Sequence, residues 1–147
     1  MSIGYAGLGK MSILIDSNII IDVISVDERF AESSGNSLGE LVRRERLIVN
    51  EVVYSELAPR TGSEGKLRSV LAELLIDVEM LTWPAAFLAG LAHARYRGAG
   101  GARERTLPDF LIGAHAQVGG HTLLTRDPAR YRAYFPELAI LTPEAAA

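Results

Sequence analysis

The chain contains no cysteine, and this absence excludes a disulfide framework, a thiolate metal site and a cysteine nucleophile. Lysine occurs only at Lys10 and Lys66, whereas there are 13 arginines. Aromatic residues make up only 7% of the chain against 48% apolar residues, so the core is expected to be aliphatic. Any metal site must therefore be built from carboxylate or histidine ligands.

Long apolar runs are also missing. No stretch approaches the roughly 20 apolar residues that a membrane helix needs, and Met1 to Lys10 lacks the pattern of a signal peptide. We therefore expect a soluble cytoplasmic protein. The 147 residues suit one domain, which we place at residues 11–147, because Met11 restarts the chain just before the first strand. Residues 1–10 are expected to be a flexible N-terminal extension.

Strand and helix patterns alternate along the chain. The predicted strands are a buried run at Ile13 to Ile15 and four later segments: Leu47 to Val49, Asp77 to Leu81, His121 to Leu124 and Leu138 to Leu141. The segments between them show helical spacing, and Pro59 is expected to end the helix that begins at Glu51. This alternation predicts an α/β fold with a mainly parallel central sheet and helices on both faces.

Four acidic residues lie at the start or end of a buried element or at the edge of the apolar face of a helix. Asp16 follows the first strand, Asp109 begins a buried helix after Pro108, and Asp127 follows the fourth strand; Glu56 lies beside the apolar face of a helix. Four converging carboxylates repel one another unless a cation neutralises them. Oxygen ligands of this kind select Mg²⁺ or Mn²⁺, which can activate water for the displacement of a phosphodiester.

Each acid also has a simpler interpretation. Asp109 suits a helix start through the helix dipole, and Asp127 before Pro128 suits an ordinary turn. Glu56 suits a surface salt bridge. The four acids together favour a metal site more strongly than any one of them does.

The motifs resemble those of the PIN-domain ribonucleases, and most closely the VapC-type toxins of bacterial toxin-antitoxin pairs. The resemblance extends from Met11 to about Pro143 and rests on four motifs: ILIDSNIIID, VYSELA, LPDFLIGAHA and LLTRDPARYRAYFPELAILTP. It implies a three-layer α/β/α domain and a Mg²⁺- or Mn²⁺-dependent endoribonuclease that forms homodimers. It also implies a VapB-like antitoxin partner whose tail lies in the active-site groove.

The same resemblance implies roles for individual residues. Asp16 and Asp109 would hold the principal metal directly or through water, Glu56 would ligate or position the attacking water, and Asp127 would complete the site or favour a second ion. Asn18 and Thr125 match supporting positions that hydrogen-bond around the metal.

Other side chains are given roles by their place in the sequence. Arg126, Arg103 and Arg105 are the cations best placed to contact RNA phosphates. The alternative interpretation is that they are surface arginines with no role in RNA binding. The three histidines, at positions 93, 115 and 121, are interpreted as structural, so a metal-activated water is the expected nucleophile.

Rival functions remain. An RNA-processing nuclease outside a toxin-antitoxin pair would share all the motifs, and a non-catalytic RNA-binding module would be expected to lack part of the acidic set. A haloacid-dehalogenase-like phosphatase needs a second aspartate where this chain has Asn18, and a phosphorelay receiver needs a late lysine that this chain lacks.

Overall fold

The computed structural model describes residues 11–101 and 105–146, and a parallel five-stranded sheet lies at its centre. In chain order the strands are β1 Ser12–Ile15, β2 Arg46–Val49, β3 Ile76–Val78, β4 Thr122–Leu124 and β5 Ile140–Leu141. Their order across the sheet is β3-β2-β1-β4-β5, and every pairing is parallel. Both the N-terminal extension expected at residues 1–10 and Arg103 lie outside the described residues.

Within residues 11–101 and 105–146, eight helices connect and flank these strands. They are α1 Ser17–Ile24, α2 Ala31–Leu41, α3 Glu51–Thr61, α4 Glu64–Glu73, α5 Trp83–Gly98, α6 Leu107–Gly119, α7 Ala129–Arg132 and α8 Pro143–Ala146. The predicted α/β fold with a parallel sheet in a three-layer arrangement is confirmed. Within the described residues, none of these helices is both long enough and apolar enough to cross a membrane.

The core is aliphatic, as the composition predicts. Leu14, Ile15, Ile48 and Leu123 in the central strands are fully buried and belong to one cluster with apolar residues of the helices. Strands buried in this way are unbroken apolar runs, because both faces of a parallel sheet are covered. A smaller cluster around Phe110 joins α5 to α6.

Several predicted boundaries are wrong. Strand β4 begins at Thr122 and not at His121, and β5 begins at Ile140 and not at Leu138. Helix α3 continues through Pro59 to Thr61 and ends at Gly62, whose φ of +77° is a conformation that glycine adopts without strain. Proline removes only one amide donor, and the capped, packed remainder of the helix tolerates that loss. Strand β3 covers Ile76–Val78 rather than 77–81, because its partner β2 has already ended at Val49.

The topology creates a crevice between β1 and β4. Successive crossovers place β2 and β3 on one side of β1, and the chain then returns to place β4 and β5 on the other side. Ligand sites of open α/β sheets lie at the carboxyl ends of the strands where this reversal occurs. Here the Asp16 amide donates to the carbonyl of Leu124, so the residues that follow both strands emerge side by side.

Candidate active site

Asp16 lies at the floor of the crevice, between β1 and the first turn of α1. Its carboxylate is buried, and its Oδ2 accepts hydrogen bonds of 2.8 Å from both the Thr125 hydroxyl and the Tyr131 hydroxyl. Burial raises the pKa of Asp16, and the hydrogen bonds from Thr125 and Tyr131 oppose that rise. Burial also raises the pKa of Tyr131, so its hydroxyl remains protonated and donates to Asp16.

Thr125 and Asn18 connect Asp16 to the loop after β4. The Thr125 hydroxyl donates to Asp16 and accepts from the Asp127 amide at 3.0 Å and from the Asn18 side-chain amide at 3.4 Å. The Asn18 carbonyl oxygen in turn accepts from the Arg126 amide at 3.4 Å. Both predicted supporting residues therefore lie between β1 and β4, and they fix the loop that presents Asp127.

Glu56 projects from α3 toward the same crevice. Its Oε1 is buried and has no hydrogen-bond partner, and it is the one such side-chain atom among the described residues. Burial raises the pKa of Glu56; the Ser17 side chain opposes the rise, and the charges of Asp16 and Asp109 add to it. A buried carboxylate oxygen without a donor is unfavourable in isolation, so this atom is suited to receiving a cation.

Asp109 lies in the first turn of α6 and is also buried. Its Oδ2 accepts from the Thr106 amide at 3.0 Å and lies 3.4 Å from the Thr106 hydroxyl, so the cap interpretation of this residue is correct. Its charge nevertheless acts on both Asp16 and Glu56. Asp109 is thus a helix cap and a member of the acidic cluster at the same time.

Arg130 links the fourth acid to the other three. One guanidinium nitrogen lies 3.3 Å from Asp109 Oδ1, and the other lies 3.0 Å from Asp127 Oδ2. Burial lowers the pKa of Arg130, and the carboxylates of Asp109 and Asp127 more than offset this effect. Asp127 is therefore at the more exposed rim of the cluster, joined to the buried acids through a shared cation.

Charge interactions among Asp16, Glu56 and Asp109, and the Arg130 bridge to Asp127, join these residues in one acidic cluster, which we call the acidic site: Asp16, Glu56, Asp109 and Asp127. One guanidinium contacts two of the four carboxylates, one buried oxygen has no partner, and burial together with like charges raises the pKa values of Asp16 and Glu56. Hard oxygen ligands of this number and charge suit Mg²⁺ or Mn²⁺. The residues present therefore fit a divalent cation.

Sequence reasoning did not assign Arg130 and Tyr131 to this site. Both lie on α7, the short helix after the Asp127 turn. The signal available was the position of Arg130 three residues after Asp127, which allows an ion pair within one helical turn.

The guanidinium of Arg126 is paired within the protein. It forms two charge-assisted hydrogen bonds, of 2.7 and 2.8 Å, with the buried carboxylate of Asp22, and it lies 4.0 Å over the ring of Phe30. Ser34 donates to the same carboxylate at 2.7 Å. In this structure Arg126 therefore forms an ion pair that attaches the β4–α7 loop to α1 and α2, and its contact with RNA phosphate stays a prediction.

Arg105 is half-buried and lies just before α6. Its guanidinium is 3.4 Å from the Ala129 carbonyl and 5.8 Å from the centre of the Tyr96 ring. It therefore lies near α7, the helix that carries Arg130. Arg103 belongs to the residues that the structure does not describe.

A second cluster of possible ligands lies elsewhere and consists of Glu79, His115 and His121. Both histidine Nε2 atoms contact Glu79 Oε2, at 3.2 and 2.7 Å. The Asn50 side chain, however, uses its oxygen to cap α3 at the Val53 amide, so its NH₂ group points at His115 Nδ1, 3.1 Å away. His115 must then accept at Nδ1 and carry its proton at Nε2, which donates to Glu79 instead of binding a metal.

Comparisons with known proteins show which family and which solved structures the chain resembles. The family model described as "PIN domain" matches residues 13–136. A search of curated proteins finds no match. Among solved structures, the VapBC-1 structure from nontypeable Haemophilus influenzae has a TM-score of 0.69 at 20% identity and covers 91% of this chain and 99% of that one.

Two further solved structures are similar to the same extent. The VapBC2 structure from Rickettsia felis, bound to a DNA fragment from its promoter, has a TM-score of 0.68 at 20% identity and covers 90% of this chain and 98% of that one. A toxin-antitoxin complex from Klebsiella pneumoniae has a TM-score of 0.65 at 20% identity and covers 89% and 97%. At these identities the likeness establishes the fold.

Proposed function

The chain belongs to the PIN-domain family, and from this premise we propose that it is a Mg²⁺- or Mn²⁺-dependent endoribonuclease of the VapC type. The observation that supports this proposal most strongly is the acidic site, which brings together the buried carboxylates of Asp16 and Asp109 and the half-buried carboxylate of Glu56. The partnerless Glu56 Oε1 gives this cluster an acceptor for which the protein supplies no donor. A purely structural cluster would be expected to satisfy that atom.

In this proposal Asp16, Glu56, Asp109 and Asp127 hold the cation. When bound, the cation supplies a water of lowered pKa as the nucleophile and stabilises charge on the phosphate. The chain's own residues orient the ligands: Thr125 and Tyr131 fix one oxygen of Asp16, and Thr106 fixes one oxygen of Asp109. Ligands held in this way need little reorganisation when the metal and substrate arrive.

The activity test compares acidic-site variants with a matched control. We expect the purified chain to cleave RNA in Mn²⁺ or Mg²⁺ and to lose cleavage in EDTA. Asp16→Asn should abolish cleavage, whereas Asp77→Asn should not, because Asp77 is an exposed acid that pairs with Arg46 outside the site. Cleavage that survives in Asp16→Asn would reject this metal site.

A VapB-like antitoxin is the second part of the proposal. Its support is likeness of fold to a structure described as a toxin-antitoxin complex. The product of a small reading frame beside this gene should co-purify with the chain and inhibit its nuclease activity. An active chain with no such neighbour would favour the alternative, an RNA-processing nuclease outside a toxin-antitoxin pair. A chain that binds RNA without cleaving it would favour the binding module.

We further propose that the chain forms a homodimer through α5. From Trp83 to Ala94 this helix contains no aspartate, glutamate, lysine or arginine. Three of its apolar side chains are unusually exposed: Trp83 at 90%, Phe87 at 71% and Leu91 at 50%. An uncharged face can pack against its own copy around a two-fold axis without opposing like charges. Light scattering should show a dimer that Phe87→Glu converts to a monomer; a monomeric parent chain would contradict the proposal.

A further inference from the structure

We propose that Arg130 acts in both states of the acidic site: it is the counter-ion of Asp109 and Asp127 before metal binds, and it contacts the RNA phosphate afterwards. This inference rests on the proposed nuclease function. It gives a role in phosphate contact to a residue that lies within the last of the four motifs but to which the resemblance assigned no role.

The geometry makes Arg130 and a metal compete for the same atom. Asp109 Oδ2 is already held by the Thr106 amide, so Oδ1 is the oxygen left for a cation. That oxygen is the one that Arg130 contacts, at 3.3 Å, while its other terminal nitrogen lies 3.0 Å from Asp127 Oδ2. A divalent ion that ligates these carboxylates carries twice the charge of the guanidinium and would displace it.

The displaced side chain would remain close to the substrate. Arg130 is 40% exposed and lies on α7, a helix of only four residues at the rim of the site. The phosphate of a bound RNA must approach the same carboxylates to reach the metal. A guanidinium fork released at this position matches the geometry of phosphate oxygens.

Another described arginine beside the site, Arg126, does not have this freedom. Arg126 is 26% exposed, and two of its guanidinium nitrogens bind Asp22, a residue buried beneath α2. Releasing Arg126 would leave that buried carboxylate without its cation, which is strongly unfavourable. Release of Arg130, in contrast, leaves only Asp109 and Asp127 without a guanidinium partner, and the bound metal neutralises those carboxylates.

The test measures Mn²⁺ binding and RNA cleavage separately in Arg130→Gln, Arg130→Lys and the control Arg132→Gln. Arg132 is an exposed residue on the same helix. Mn²⁺ affinity, titrated without RNA, should rise about tenfold in Arg130→Gln because a competing positive charge is removed. It should stay close to the parent value in Arg130→Lys and Arg132→Gln.

Single-turnover cleavage is then measured at saturating Mn²⁺, so that altered metal affinity does not affect the rate. Arg130→Gln should be slower by about 100-fold, the usual loss when one charge-stabilising donor is removed, and Arg130→Lys should recover part of that loss. Unchanged Mn²⁺ affinity in Arg130→Gln would overturn the counter-ion role, and an unchanged rate would overturn the phosphate contact. If the parent chain cleaves no RNA, the nuclease proposal and the phosphate contact both fail, and the Mn²⁺ titration still decides the counter-ion role.

Discussion

Replacing Glu56 by glutamine should stabilise the metal-free protein and remove its response to Mn²⁺. The parent side chain has a buried oxygen without a donor, and burial together with the charges of Asp16 and Asp109 raises its pKa. Glutamine preserves the shape of the side chain and removes the charge. It also supplies an NH₂ group that can face the neighbouring carboxylates.

The expected gain follows from the cost of an unsatisfied buried group, about 1–3 kcal/mol. Glu56 is only partly buried, so we take the lower part of this range, about 1–2 kcal/mol at neutral pH. For a chain of this length each 1 kcal/mol shifts Tm by roughly 3 °C, which gives a gain of roughly 3–6 °C. Conversely, Mn²⁺ at 100 times its Kd should stabilise the parent by about 2.7 kcal/mol, and this increment should largely disappear in Glu56→Gln.

The sign of the pH dependence provides an internal check. An acid whose folded pKa is raised contributes stability below its unfolded value, here 4.5, and that contribution is lost as the pH rises through the folded value. Near pH 4 the parent Glu56 is largely protonated and resembles glutamine. The difference in Tm between Glu56→Gln and the parent should therefore be small near pH 4 and grow toward pH 7.5.

The assay is differential scanning calorimetry of both proteins across this pH range, in EDTA and in Mn²⁺. Comparing the two proteins cancels the opposing contributions of other titrating groups such as Glu79 and His115, whose pKa values are lowered in the fold. A Glu56→Gln protein that is less stable than the parent at pH 7.5, or that keeps the full Mn²⁺ increment, would refute the reasoning about this oxygen.

Three further predictions concern the remaining acids and the fold. Asp109→Asn should abolish RNA cleavage and shrink the Mn²⁺-induced rise in Tm, with Asp16→Asn behaving alike; a rise equal to that of the parent would count against metal binding at these residues. Arg126→Gln should lower the free energy of unfolding in urea by about 3–5 kcal/mol, because it leaves the buried Asp22 carboxylate without its cation. The double variant Arg126→Gln with Asp22→Asn should recover most of that stability. A loss of RNA binding without a loss of stability would instead support the phosphate contact of Arg126. Pro59→Ala should raise Tm by a few degrees, since it returns an amide to the interior of α3, and a lower Tm would show that the proline is needed there.

Most of the acidic cluster could be predicted from the sequence because three of its four acids are placed by a strong local signal. Asp16 and Asp127 follow strands whose apolar character is unmistakable, and parallel strands bring their carboxyl ends to one edge. Asp109 follows Pro108, which marks the start of a helix. These local signals needed only the parallel sheet to bring the residues together.

The roles of the arginines could not be predicted in the same way. Arg126 and Arg130 lie four residues apart, in a turn and in the short helix that follows it. Their local sequence does not indicate which of the two forms a structural ion pair and which is available to a substrate. Their partners decide the difference: Asp22 is more than 100 positions away from Arg126 along the chain, and Asp109 approaches Arg130 from another helix. Side-chain pairing between distant segments depends on packing that a single sequence does not reveal.

Pro59 shows the same limit for secondary structure. A proline predicts the end of a helix because it lacks an amide donor, but the cost is one hydrogen bond and a local clash. In α3, the Asn50 cap and the buried Val53 and Leu57 retain the helix for two residues beyond Pro59. Tertiary packing here outweighs the local propensity.

The most direct test of the acidic site is anomalous diffraction from crystals of this protein soaked in Mn²⁺. We predict an anomalous peak that marks a Mn²⁺ ion bound to carboxylate oxygens of Asp16 and Asp109, with Glu56 Oε1 directed at the ion. A peak at Glu79, His115 and His121 instead, or no peak while the acidic side chains keep their positions at saturating Mn²⁺, would contradict a cation-binding role for the acidic site.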